Sequence, residues 1–174
     1  IDSARETFAA LSKRFPQRPE GAIKWAKAAG EIGRFSEACD ALNFLFKNHP
    51  GHIEGHCVLG DIYAKSGRKK EALEEYQKTL LVNENYHPGI LGVAAMSRVF
   101  GYKEEEYKAL RKALNTNSND PSSLLRLGQL EREMRLPSNL ENFRKVVALV
   151  PNSVLAEEAK YYLRHCDETT SMAG

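Results

Sequence analysis

Residues 53–86 read IEGHCVLGDIYAKSGRKKEALEEYQKTLLVNENY, and six positions in that stretch decide the fold: Leu59, Gly60, Tyr63, Gly67, Ala72 and Tyr76. A bulky residue beside a small one, as in Leu59-Gly60, lets a second helix come close while its neighbour fills the interface. Gly67, seven residues on, predicts the end of a first helix, because glycine takes the left-handed C-terminal conformation freely. Beyond it, Ala72, Leu73, Tyr76, Thr79 and Leu80 fall at helical spacing, predicting a second amphipathic helix over 69–82. Glu74 and Lys78 stand four apart on its wet side, where an ion pair is expected.

The same features recur every 34 residues in both directions. Small residues stand at Ala26, Gly60, Ala94 and Gly128, and glycines at Gly33, Gly67 and Gly101. Bulky apolar residues stand at Trp25, Leu59, Val93 and Leu127, and another series runs Phe8, Leu42, Tyr76, Leu110 and then Phe143, one residue early. Alanines at Ala4, Ala38 and Ala72 and prolines at Pro16, Pro50 and Pro151 keep the phase. Several independent series with one period are the signature of a stacked helical repeat.

This pattern resembles the tetratricopeptide repeat, W-x2-L-G-x2-Y then A-x3-F then P. The unit 53–86 matches best, departing at His56 for the tryptophan and Glu84 for the proline. The unit 19–52 carries Trp25 in the leucine position, followed by Ala26, Gly33, Ala38 and Pro50. The unit 87–120 has Glu106 where alanine belongs and Ser118 where proline belongs, and 121–153 is one residue short, with Arg135-Leu136-Pro137 in place of the glycine turn. Residues 1–18 read as the second helix of a truncated leading repeat, 154–165 as a capping helix and 166–174 as a flexible tail. The resemblance implies an all-α solenoid of antiparallel helix pairs, a right-handed superhelix of about four full repeats. Helices are expected near 2–14, 20–32, 35–48, 54–66, 69–82, 88–100, 103–116, 122–134, 138–150 and 154–165.

In this family, as the resemblance implies, first helices line a concave groove, with the second, fifth, ninth and twelfth positions of each unit exposed. These are Glu20, Ile23, Lys27 and Gly30; Glu54, Cys57, Asp61 and Ala64; Pro88, Leu91, Ala95 and Arg98; and Ser122, Leu125, Gln129 and Arg132. The expected partner-binding residues are Ile23, Lys27, Cys57, Asp61, Leu91, Ala95, Arg98, Leu125, Gln129 and Arg132. Apolar anchors with basic neighbours suit an extended or helical peptide that carries acidic and apolar residues. A second reading stays open for Ile23, Leu91 and Leu125, that the fifth position packs between adjacent units. Chaperone-binding members hold a chain terminus with a clamp of lysines, asparagines and an arginine. Ile23 and Lys27, then Pro88 and Gly92, occupy those places here, so no such clamp is expected.

The remaining chemistry of the sequence is sparse. His49, His52, His56 and Cys57 cluster in HPGHIEGHC, and His52 and His56 are four apart, a spacing that can hold a metal on one helix face. His52 should precede the helix and His56 takes a packing position, so no metal and no cofactor is expected. Cys57 and His56 are sequence neighbours about 100° apart on a helix, which argues against a nucleophile–base pair. No phosphate-loop, dinucleotide, nucleophile-elbow or zinc-protease motif occurs, and no catalytic residue is expected. With 25 Lys and Arg against 23 Asp and Glu, the net charge is +2, which gives no basic stripe for nucleic acid. Three cysteines without a C-x-x-C pair fit a reducing compartment, the cytoplasm first, with an upstream anchor or targeting segment left open. No stretch of eighteen apolar residues occurs, so no membrane span is expected. The expected function is a non-enzymatic scaffold or adaptor for assembling a larger complex, with surface available for self-association. The alternative is a recruitment or regulatory domain of a larger enzyme or a membrane-anchored assembly factor.

Overall fold

A computed structural model describes residues 19–136 and 139–165 of the chain. The expected leading helix over 2–14 and the tail over 166–174 lie outside the described residues. Nine helices are found among the described residues, and no strand: α1 Pro19–Glu31, α2 Phe35–Asn48, α3 Ile53–Lys65, α4 Lys69–Val82, α5 His87–Phe100, α6 Lys103–Thr116, α7 Pro121–Glu133, α8 Asn139–Leu149 and α9 Val154–His165. Their ends fall within one residue of the expected ones. Pro121 opens α7, where its missing N–H has no partner to lose, and Asp120 accepts the Ser123 N–H at 3.1 Å as the N-cap.

Every hairpin turn among the described residues is closed in the same way. After α1, the Arg34 N–H reaches the Ala29 carbonyl at 2.8 Å and the Gly33 N–H reaches Gly30 at 3.2 Å, the paired bonds of a Schellman turn. Gly33, Gly67 and Gly101 hold φ of 77°, 83° and 75°. At the fourth turn Arg135 takes φ 58°, while the Leu136 N–H reaches Glu131 at 2.7 Å. The turn geometry therefore survives the loss of its glycine.

The chain divides into two compact units, Ile1–Met96 and Ser97–Gly174, with the boundary inside α5. In the first unit, Ala22, Ile23, Ala26, Ala38, Leu42, Leu45, Leu59 and Ile62 form one buried core. Tyr76 lies between two glycines: a Cβ on Gly60 would stand 2.7 Å from its ring, and one on Gly92 2.3 Å. Gly60, the small residue of its repeat, thus admits the aromatic of a second helix. In the second unit, Leu124, Leu125, Phe143, Val146 and Ala159 form the core, and a Cβ on Gly128 would meet the Phe143 ring at 2.8 Å. Phe143 in turn stacks on Tyr162 of α9, with centroids 4.9 Å apart, and so fixes that tyrosine's place.

Candidate functional site

The histidine segment is occupied by structural work. His52 is the N-cap of α3, its Nδ1 accepting the Gly55 N–H at 3.1 Å. His56 fills the packing position of the family's tryptophan and stacks on Phe46 at 4.3 Å. Its Nε2 donates to the Pro50 carbonyl at 2.8 Å, and its Nδ1 is hydrogen-bonded to Glu75 Oε2 at 2.7 Å. Both ring nitrogens are thus engaged, and among the described residues no group of three or more His, Cys, Asp or Glu is placed to hold a metal. Burial, then the charge of Asp61, pushes the Cys57 thiol up to about 12, which keeps it protonated and unreactive.

The expected groove residues sort differently in the two units. In the first, Ile23 and Cys57 are only 5% and 7% exposed. Ile23 lies in the buried core and Cys57 is buried too, which goes against the exposure expected of them on a partner surface. Lys27 is exposed but ion-paired with Glu54 at 2.7 Å. Asp61 accepts the Tyr76 hydroxyl at 2.7 Å, and burial followed by that hydrogen bond pushes the phenol well up. Leu91 is half-buried and Ala95 exposed. The expected Glu74–Lys78 pair is also corrected. Lys78 turns to Glu75 at 2.6 Å, because that carboxylate is already held in place by His56.

In the second unit, Leu125 is 5% exposed and belongs to the core, the same correction as for Ile23. Arg98, Gln129 and Arg132 instead line one cleft of about 550 Å³, together with Arg126, Glu133, Glu158 and Tyr162. Three elements build it: the last turn of α5, the length of α7 and the middle of α9. Its side is rigid. Arg126 donates through Nε and Nη2 to the two oxygens of the buried Glu106 at 2.6 and 2.9 Å, and through Nη1 to Glu133 at 3.0 Å. The Glu106 carboxylate, hydrogen-bonded to the Arg126 guanidinium, raises it further, so the fork stays charged. Partial burial raises the Glu133 carboxyl, but hydrogen bonds from Arg126 and Lys103 outweigh it and hold the group below its ordinary value. Gln129 Nε2 donates to Glu158 at 2.7 Å, and the Arg132 guanidinium lies 5.6 Å from the Tyr162 ring centre. No carboxylate among the described residues pairs with Arg98 or Arg132.

Sequence reasoning did not name Arg126, Glu133, Glu158 or Tyr162. Glu158 and Tyr162 are the fifth and ninth residues of α9, so the groove register carried one helix further would have found both. Arg126 carried a fainter signal: Glu106, in an alanine position, needed a cation.

No family model matches the chain, and no curated protein matches it. Solved structures do. A tetratricopeptide protein of Thermus thermophilus has TM-score 0.70 at 23% identity, covering 94% of this chain and 90% of its own. YrrB, described as a tetratricopeptide protein with an unusual peptide-binding site, has TM-score 0.75 at 16% identity, covering 97% and 89%. MamA from Desulfovibrio magneticus has TM-score 0.68 at 16% identity, covering 87% and 97%. The chain has the tetratricopeptide-repeat fold, an all-α array of antiparallel helix hairpins. Among the described residues no helix is long and apolar enough to cross a membrane.

Proposed function

We propose that the chain is a non-enzymatic interaction scaffold that holds a peptide or helix of a partner protein along its first helices. The observation that carries this reading is the cleft of the second unit, where the exposed Arg98 and the half-buried Arg132 have no carboxylate partner among the described residues. Guanidinium groups left unpaired beside an aromatic ring are what a protein surface offers to a ligand rather than to its own fold. The peptide-binding site reported for YrrB supports a peptide as the ligand class. Proteins of this architecture stack units whose exposed helix faces add into extended binding surfaces.

The test is selection of binding peptides from a displayed library on the whole chain, followed by two charge-reversed variants. Arg98→Glu with Arg132→Glu should weaken the selected peptides about tenfold or more, with melting and helicity unchanged. Lys108→Glu with Arg111→Glu places the same charge change on exposed positions of the second helix α6 and should leave binding alone. Binding lost in the α6 variant and kept in the cleft variant would place the partner on second-helix faces and reject the reading.

A further inference from the structure

We propose that the cleft of the second unit is a subsite for one carboxylate of an extended peptide, held between Arg98 and Arg132 with the peptide backbone on Gln129. The inference rests on the peptide-binding reading and narrows it to a ligand chemistry and a place.

Charge accounting selects the ligand. Arg126 and Lys103 are balanced by Glu106 and Glu133, to which they are bonded, so those four groups offer no net field to a ligand. What remains at the cleft is Arg98 and Arg132 against Glu158. The surplus is a single positive charge, which fits a carboxylate. A phosphate with nearly two negative charges would exceed that single surplus charge and meet Glu158 in the same cleft, leaving part of its charge unmatched. A polyphosphate backbone would be repelled further.

Hydrogen-bond accounting selects a peptide over a free acid. Glu158 only accepts, so Gln129 must present its N–H to it, and the Gln129 amide oxygen is left as an acceptor. An acceptor beside two donor forks matches a backbone N–H next to a carboxylate. Tyr162, locked by its stack on Phe143, gives Arg132 a face to lie on and holds the guanidinium plane in the cleft. The Arg126–Glu106 fork keeps the side of the cleft from collapsing onto the two free arginines.

Fluorescence anisotropy on the whole chain tests this with three labelled peptides. One is an alternating glutamate–alanine hexamer, acetylated and amidated. The second is its glutamine counterpart, also blocked, and the third is that glutamine peptide with a free terminal carboxylate. Binding of the first or third, but not the second, supports the carboxylate, and the two arms tell a side chain from a chain terminus. Arg98→Ala and Arg132→Ala should each weaken it about tenfold, and Arg132→Lys, which keeps charge but loses the fork, should fall between. Equal binding of all three peptides overturns the proposal, as does a glutamate peptide indifferent to both arginines. Stronger competition by inorganic phosphate or oligouridylate than by the unlabelled glutamate peptide overturns the choice of ligand. Library-selected peptides that bind the wild type and both arginine variants alike would remove this subsite and leave the scaffold reading standing.

Discussion

At the scale of single residues, Arg135 shows what the repeat demands. Three hairpins place glycine at this position and one places arginine, yet all four close with the same Schellman bonds. A side chain with φ near 58° brings its Cβ close to the following carbonyl, a cost of about 1–2 kcal/mol. Glycine removes that cost and loses more backbone freedom on folding, about 0.5–1 kcal/mol. Arg135→Gly should therefore stabilise the protein by about 0.5–1 kcal/mol, read as a higher urea midpoint with an unchanged slope. An unchanged or lower midpoint would mean that the Arg135 side chain contributes contacts of its own. Tyr76 makes the opposite point. Gly60 and Gly92 are small because its ring lies on both, so the residue type follows from close approach and not from turn geometry.

At the scale of elements, α6 and α7 are joined by ions through Glu106, at a position where the first two repeats place the buried Ala38 and Ala72. Glu106 replaces the alanine of the pattern and is buried, but both its oxygens are satisfied by one guanidinium. Such a pair is costly to break from one side, because the charge left behind is buried. Glu133 is the half of this junction that titrates within reach. Its carboxyl lies below the ordinary value in the folded chain, so its contribution is complete above the unfolded value, about 4.3. The contribution is lost as pH falls through the folded value. Between about pH 5 and pH 3, stability should fall less steeply in Glu133→Gln than in the wild type, measured by urea unfolding at each pH. Because the side chain of Glu133 is 41% exposed, solvent screening keeps the difference small. Equal slopes would show that Arg126 and Lys103 do no more for Glu133 than solvent does.

At the scale of the whole molecule, the charges at groove positions are spent unequally. The first unit pairs its own: Lys27 with Glu54 and Lys65 with Glu31, while Asp61 accepts a hydrogen bond from the Tyr76 hydroxyl. In the second unit two arginines, Arg98 and Arg132, have no carboxylate partner among the described residues. A partner recognised there should bind more weakly as salt rises, since exposed charges are screened over about 8 Å at physiological ionic strength. Raising sodium chloride should slow association more than it speeds dissociation, in a stopped-flow or surface-binding experiment. An affinity independent of salt would assign the interaction to apolar contacts such as Leu91.

The period of 34 residues, with small, bulky and glycine positions in phase, was enough to define the helices and their hairpins. Those features are local: which residue ends a helix and which face is apolar follow from the neighbours within a turn or two. Three places of the expected register, Arg98, Gln129 and Arg132, line one cleft. Which members of the register are free was decided only in three dimensions. Lys27 and Arg132 occupy the ninth and twelfth places of equivalent helices and look alike as sequence. Lys27 has Glu54 at 2.7 Å, 27 residues away in the chain, and Arg132 has a tyrosine face. The same holds for Ile23 and Leu125, whose apolar chemistry fits an anchor or a core equally well until the neighbouring helix covers them. Pairing and burial depend on atoms brought together from distant parts of the chain, and only the tertiary structure sets those distances.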